Sequence, residues 1–324
     1  MGSESQKELC MDSARKKISI VSGCHNEEGN LQEFYDIIVK VMSQFPRYSY
    51  EIIMADNCST DGSRAILRRL AAQDKNFKVI LNANNFGPIR SGYNAFLQAS
   101  GDAVVLMASD LQDPPELVAD LIRKWEEGYQ VVVATKSQSK ENPFVHQFRR
   151  FYYWFLSKCS DTGDIIQNFT GFGLYDRKFM NALKQYHDPV PYFRGFVSEI
   201  GFRRAEVAFV QKKRKQGKSK HNFFTLYDVA MTGFINHSRL PLRMATFCGF
   251  SLALLSFLVA MVYFFYKLLF WNSFNLGLAP LVIGMFFLFS MQLLFIGIIG
   301  EYVGAILTQA KNHPLAIEDE KINF

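Results

Sequence analysis

Cysteines are few, and none of them form a CxxC pair: Cys10, Cys24, Cys58, Cys159 and Cys248 are scattered and odd in number. That spacing excludes a disulfide framework and a structural zinc site, and free thiols suit a reducing compartment. No GxGxxG follows the first strand and no GxxxxGK[ST] occurs, so the dinucleotide fingerprint and the P-loop are both missing. Helix-turn-helix, RRM and zinc-finger patterns are absent too. The net charge is +6, from 36 Lys plus Arg against 30 Asp plus Glu. It is too small and too clustered for a nucleic-acid footprint, and suits an anionic leaflet or a phosphorylated ligand. No N-terminal run has the length of a signal peptide, since the first apolar stretch is only Ile18 to Ser22.

Apolar length is what the chain has, and it is concentrated after residue 244. Ala245 to Tyr266 and Leu278 to Gly300 are both uncharged and both long enough to cross a bilayer. The loop between them, Trp271-Asn272-Ser273-Phe274-Asn275, carries no charge. Arg239 and Arg243 precede the pair, and Lys311, His313 and Lys321 follow it. The positive-inside rule then predicts a two-helix anchor with the N-terminal part and the tail both cytoplasmic. The expected organisation is a flexible leader 1–15, a cytoplasmic domain 16–221, a juxtamembrane helix 222–243, the helix pair 244–301 and a cytoplasmic tail 302–324.

Before that anchor, short buried runs alternate with helical periodicity. Ile18 to Val21, Tyr50 to Ala55, Phe77 to Leu81, Asp102 to Met107 and Tyr129 to Ala134 read as strands. Between them lie helices marked by Leu31, Phe34 and Ile38, by Ile66, Leu67 and Leu70, by Ile89 to Ala99, and by Leu117, Leu121 and Trp125. This alternation predicts an α/β layer with a mostly parallel sheet. Ligands of such sheets bind beyond the carboxyl ends of the strands, and Glu27, Asp56, Asn57 and Asp110 fall there. In the run Ser109-Asp110-Leu111-Gln112-Asp113-Pro114-Pro115-Glu116, Asp110, Gln112 and Asp113 offer oxygens to a hard divalent cation. The same residues also read as a plain turn with a capped helix, and Asp56 to Asp61 as an Asx-rich turn.

Further along, Pro143 to Leu156 mixes aromatic residues with His146, Arg149 and Arg150, in the manner of an interfacial helix or an amphipathic one packed on the sheet. Val207 to Val210 reads as an edge-type strand, running into Gln211 to Lys220, where six of ten residues are Lys or Arg. Arg214 and Lys220 can donate to a phosphate-bearing ligand, and part of the run suits an anionic membrane surface. Asn222 to Ser238 reads as a second amphipathic helix.

In order along the chain, Cys24-His25-Asn26-Glu27-Glu28, Asp56-Asn57-Cys58-Ser59-Thr60-Asp61, Asn85-Phe86-Gly87, Asp110-Leu111-Gln112-Asp113-Pro114-Pro115-Glu116, Tyr175-Asp176-Arg177-Lys178 and Gly217-Lys218-Ser219-Lys220 resemble the family-2 glycosyltransferases that work on polyprenyl phosphates. The resemblance covers residues 16 to 310. It implies a GT-A domain, a UDP- or GDP-linked sugar donor and a polyprenyl (undecaprenyl) phosphate acceptor. Mg²⁺ or Mn²⁺ would be held at Asp110 and Gln112. Glu27, Asp56 and Asn57 would serve the donor with Asp110 and Gln112, and Arg214 and Lys220 would offset diphosphate charge. It further implies a homo-oligomer such as a tetramer in a bacterial inner membrane.

Several positions depart from the family pattern. Gly23 and His25 flank Cys24 where the family has Pro and an aromatic; Asn57 replaces a second Asp; Ala108 replaces the first Asp of Asp-x-Asp. Thr170-Gly171-Phe172-Gly173-Leu174 stands where the family has Gly-Asp-Phe-Arg-Leu, whose Asp is a candidate base, with Asp161 and Asp164 upstream. A phosphate monoester acceptor makes a strong base dispensable, because its second pKa is about 6. The expected reaction is in-line attack with inversion. Its rivals are a non-catalytic membrane scaffold on a transferase fold and a processive polysaccharide synthase, whose Gln-x-x-Arg-Trp motif is missing here.

Overall fold

The computed structural model describes residues 15–138, 166, 168–211, 240–270 and 278–324. Residues 1–14 of the leader, the aromatic and basic stretch 143–156, Asp161, Asp164, the basic run with Arg214 and Lys220, the helix expected over 222–238 and the loop 271–275 lie outside them.

In chain order the elements are β1 (Lys17–Cys24), α1 (Leu31–Met42), β2 (Ser49–Asp56), α2 (Ser63–Gln73), β3 (Phe77–Asn82), α3 (Pro88–Leu97) and β4 (Ala103–Leu106). A single 3₁₀ turn, Pro115–Leu117, leads into α4 (Val118–Glu126), followed by β5 (Val131–Gln138), β6 (Phe169–Asp176), α5 (Arg177–Leu183), α6 (Phe193–Glu199) and β7 (Arg204–Val210). The long helices α7 (Leu240–Leu269) and α8 (Leu278–Ala310) come next, and β8 (Glu318–Ile322) closes the chain.

Among the described residues the strands form one sheet in the order β7-β5-β6-β4-β1-β2-β3-β8. Its centre, β4-β1-β2-β3, is parallel throughout, while β6 runs antiparallel to β4 and β5, and β8 antiparallel to β3. Chain order reverses between β1 and β4, which opens a crevice at their carboxyl ends.

Strand alternation sends side chains to two apolar layers. Ile18, Ile20, Ile52 and Met54 pack with Phe34, Ile38 and Leu67 from α1 and α2 and with Leu121 and Trp125 from α4. Val21, Ile53 and Ile80 pack on the other face with Tyr93 and Phe96 from α3, Phe179 from α5 and Phe196 from α6. A buried carboxylate ties the opposite, amino-terminal end of the sheet together. Glu51 on β2 accepts from Ser19 Oγ at 2.6 Å and from Ser100 N and Oγ at 2.8 Å, and pairs with Lys78 Nζ at 2.8 Å.

The chain divides into an α/β unit, which includes residues 312–324, and a unit holding α7 and α8. Met244–Tyr266 and Gly284–Ala310 are long and apolar enough to cross a membrane, and none of either span is buried in the protein. Large apolar side chains such as Phe247, Phe250, Phe286 and Leu293 are exposed along them, as in a surface made for lipid. The stretch expected only as a tail holds a strand: its charged Glu-Asp-Glu-Lys pattern hides β8 from a search for apolar alternation.

Candidate active site

Four loops meet at the carboxyl edge of the central strands. The first two, after β1 and β2, are laced by reciprocal hydrogen bonds. Asn26 N donates to Ser59 Oγ at 2.9 Å and Thr60 N to Asn26 Oδ1 at 2.8 Å. Glu27 N donates to Ser63 Oγ at 3.0 Å, and Gly62 N to Glu28 Oε2 at 2.7 Å. The Glu27 side chain itself accepts from Asn30 Nδ2 at 2.6 Å. Asn26 and Cys58 both sit at positive φ, 58° and 60°, conformations that the lacing compensates.

Asp56 lies beneath this wall and is fully buried. Its two oxygens share the Ser59 amide at 3.2 Å, and Oδ2 also accepts from Arg64 Nε at 2.7 Å. Arg64 donates in turn to the Asn82 carbonyl at 2.7 Å, so one guanidinium joins the ends of β2 and β3. Sequence reading missed Arg64, which looks like any basic residue on an exposed helix face.

The third loop, after β3, closes on the other side of Asn57. Asn57 Nδ2 donates to Asn85 Oδ1 at 2.7 Å, and Asn57 Oδ1 accepts from Phe86 N at 2.9 Å. His25 Nδ1 faces the Asn57 carbonyl at 3.0 Å. A carbonyl only accepts, so Nδ1 carries the proton and Nε2 is left to accept from Asn85 Nδ2 at 3.4 Å.

Across the chain reversal, Ser109 Oγ donates to the Gly23 carbonyl at 2.9 Å and pins the loop after β4 to the end of β1. Asp110 Oδ1 accepts from Gln112 N at 3.2 Å, and Leu111 between them takes a positive φ of 58°. Gln112 Oε1 accepts from Gln211 Nε2 at 3.1 Å, which orients the amide and leaves one lone pair. Asp113 is buried with its Oδ1 unpartnered among the described residues. Burial pushes its carboxyl up to about 6, the opposing field of Lys136 notwithstanding, with Asp110 adding to the rise.

The donor set at this loop is a carboxylate and an oriented amide oxygen, both hard ligands. Among the described residues no three His, Cys, Asp or Glu side chains gather as a closed metal cage. Asp110 and Gln112 thus offer oxygens of the kind an open cation site uses, one completed by ligand oxygens and water, as Mg²⁺ prefers.

Residues 19–184 match the family model Glycosyl transferase family 2. This chain belongs to that family. A family member from Bacillus subtilis, the uncharacterized glycosyltransferase YkcC, is 35% identical over 303 residues, 92% of each chain. The bactoprenol glucosyl transferase of Shigella phage SfV is 32% identical over 307 residues, 94% of this chain and 99% of that one. The uncharacterized glycosyltransferase sll0501 of Synechocystis is 32% identical over 305 residues, 92% of this chain and 93% of that one. Family activity is the transfer of a sugar from a nucleotide-sugar donor.

Against the family pattern, the structure gives two departures a physical setting. Ala108 is exposed at the loop, so an Asp there would meet no steric bar. Gly171 and Gly173 are locked in: Gly171 takes φ +104°, and a Cβ on Gly173 would lie 2.5 Å from the Val132 carbonyl. Tyr175 Oη, donating to the Gly171 carbonyl at 2.9 Å, fills the space above. Neither an Asp at 171 nor an Arg at 173 fits this backbone.

Proposed function

We propose that the protein transfers a sugar from a UDP- or GDP-linked donor to polyprenyl phosphate, with inversion, on the cytoplasmic leaflet of a bacterial inner membrane. The observation that carries this reading is the length over which relatives named bactoprenol glucosyl transferase align, 92% of this chain or more, because that span takes in the two apolar helices as well as the α/β unit. The chain leaves the α/β unit before α7 and re-enters it after α8, which supports a hairpin with both ends on one face.

In this reading Glu27 shapes the nucleoside wall and Asn57 borders the base. Asp56 reaches the nucleoside by exchanging one of its present partners, Ser59 or Arg64. Asp110 and Gln112 hold Mg²⁺ or Mn²⁺, which when bound neutralises the donor diphosphate. Gln211 keeps the Gln112 amide turned to that task. Arg214 and Lys220 add positive charge at the leaving diphosphate. The acceptor phosphate is already anionic near neutral pH, so these residues supply alignment and charge, with no carboxylate required at position 171.

The test is purified full-length protein with undecaprenyl phosphate, Mg²⁺ or Mn²⁺ and a panel of UDP- and GDP-sugars, followed by product mass and anomeric configuration. A lipid-monophosphate sugar of inverted configuration, lost on Asp110→Ala, is expected. A retained configuration overturns the mechanism, and donor turnover without added lipid phosphate overturns the acceptor.

A further inference from the structure

The chain after α8 does more than end. The Ile317 carbonyl accepts from Ala83 N at 3.0 Å, so the tail holds the first residue of the loop after β3. Arg90, on the first turn of α3, donates from its terminal nitrogen to the Pro314 carbonyl at 2.7 Å and from Nε to the Leu315 carbonyl at 3.0 Å. The same guanidinium stacks on the Phe86 ring, 5.6 Å from its centroid. Glu318 accepts from Asn94 Nδ2 at 2.7 Å and from Gln98, fastening α3 further along. Asn323 Nδ2 donates to the Ala71 and Phe77 carbonyls at 2.7 and 2.8 Å, anchoring the far end on α2 and β3.

Two of these contacts, those of Arg90 and of the Ala83 amide, reach the loop after β3. Phe86, gripped by Arg90, gives its amide to Asn57 Oδ1, and Asn85 beside it bonds both Asn57 and His25. We propose that residues 312–324 form a strap that positions the donor side of the crevice, with Arg90 as the positioning residue that transmits its hold to Phe86, Asn85 and Asn57. The inference rests on the donor-site reading above. Its consequence is that the segment following the second apolar helix is a working part of nucleotide binding.

Charge-altered edge strands commonly serve only to block pairing with other chains, and β8 would do that without Arg90. Arg68 and Glu320 supply the control. Their ion pair, 2.6 Å, fastens the same strand to α2 rather than to α3.

The experiment uses full-length protein in detergent, with UDP and GDP titrated calorimetrically and amide hydrogen exchange followed over residues 83–87. Arg90→Ala and Glu318→Ala should each raise the nucleotide dissociation constant about tenfold, a coupling of ordinary size, and speed exchange in that loop. Arg90→Lys should recover part of both effects. Glu320→Ala, which removes the fastening to α2, should leave both readouts unchanged. Equal nucleotide affinity and equal loop exchange in wild type, Arg90→Ala and Glu318→Ala overturn the strap. If the wild type binds neither UDP nor GDP, the donor-site reading itself falls, and the functional role of the strap falls with it.

Discussion

Asn57 and Asn85 face each other across two loops, the side-chain amide of the first donating to the side-chain oxygen of the second at 2.7 Å. Asn85 Oδ1 also takes the Gly87 amide at 2.9 Å, so it is committed as an acceptor. Where the family has Asp at position 57, an Asp here would set a carboxylate against that oxygen. Asn57→Asp, though it restores the family residue, is therefore expected to destabilise the protein by about 1–3 kcal/mol. A melting temperature at or above wild type in scanning fluorimetry would mean that Asn85 turns its amide over instead.

Arg64 is the only cation bonded to Asp56 among the described residues, and the carboxylate is fully buried. Arg64→Met removes the partner and leaves the charge, a change that costs about 3–5 kcal/mol. Adding Asp56→Asn to it should recover most of the loss, since the buried charge is then gone as well. Chemical denaturation of the three variants measures this, and strict additivity of the two changes would contradict it.

Glu51 gives a pH dependence with a definite sign. Burial alone would raise its carboxyl, but hydrogen bonds from Lys78, Ser19 and Ser100 outweigh that and hold it at about 2, against an ordinary 4.5. A depressed value stabilises the fold fully above pH 4.5, and the contribution fades as pH falls from there towards 2. Its upper bound is roughly 3 kcal/mol. Glu51→Gln should accordingly be less stable than wild type at neutral pH, with the gap closing on acidification through that window. A gap independent of pH would assign the loss to packing.

Restoring the missing metal-motif carboxylate should be structurally neutral and chemically productive, because Ala108 is exposed. Ala108→Asp is expected to tighten Mn²⁺ binding about tenfold or more, in the range by which metal-site substitutions act. Electron paramagnetic resonance titration of Mn²⁺ reads this without any turnover. Asp110→Ala should abolish the same signal.

Adding a side chain at Gly173 in strand β6 should do the opposite. Gly173→Ala drives a Cβ to 2.5 Å from the Val132 backbone carbonyl, which cannot swing aside as a side chain does. A loss of about 1–3 kcal/mol is expected from such overpacking, and a wild-type melting temperature for Gly173→Ala would show that β5 yields.

The alternation of strands and helices, the two apolar helices and the placing of Asp56, Asn57 and Asp110 at strand ends were legible in the sequence. Each rests on local periodicity or on a residue's position next to a buried run. Arg64, Gln211 and β8 were not. Arg64 and Gln211 are ordinary surface types by sequence, and the groups they hold lie on other elements. β8 has alternate half-buried and exposed positions, yet the residues at them are Glu, Asp, Glu, Lys and Ile, whose burial pattern no hydropathy pattern reports.

By itself the sequence determined the class of fold, the membrane-length helices and the membership in glycosyl transferase family 2, because composition, periodicity and ordered motifs are written in covalent order. Tertiary structure alone decided that Gln211 orients Gln112 from 99 residues away, that Asn85 completes Asn57, and that the segment after α8 returns to hold α3. Such partners are chosen by sheet order and register. A hydrogen bond is worth making only where the fold brings donor and acceptor within about 3 Å, and no spacing along the chain specifies that distance.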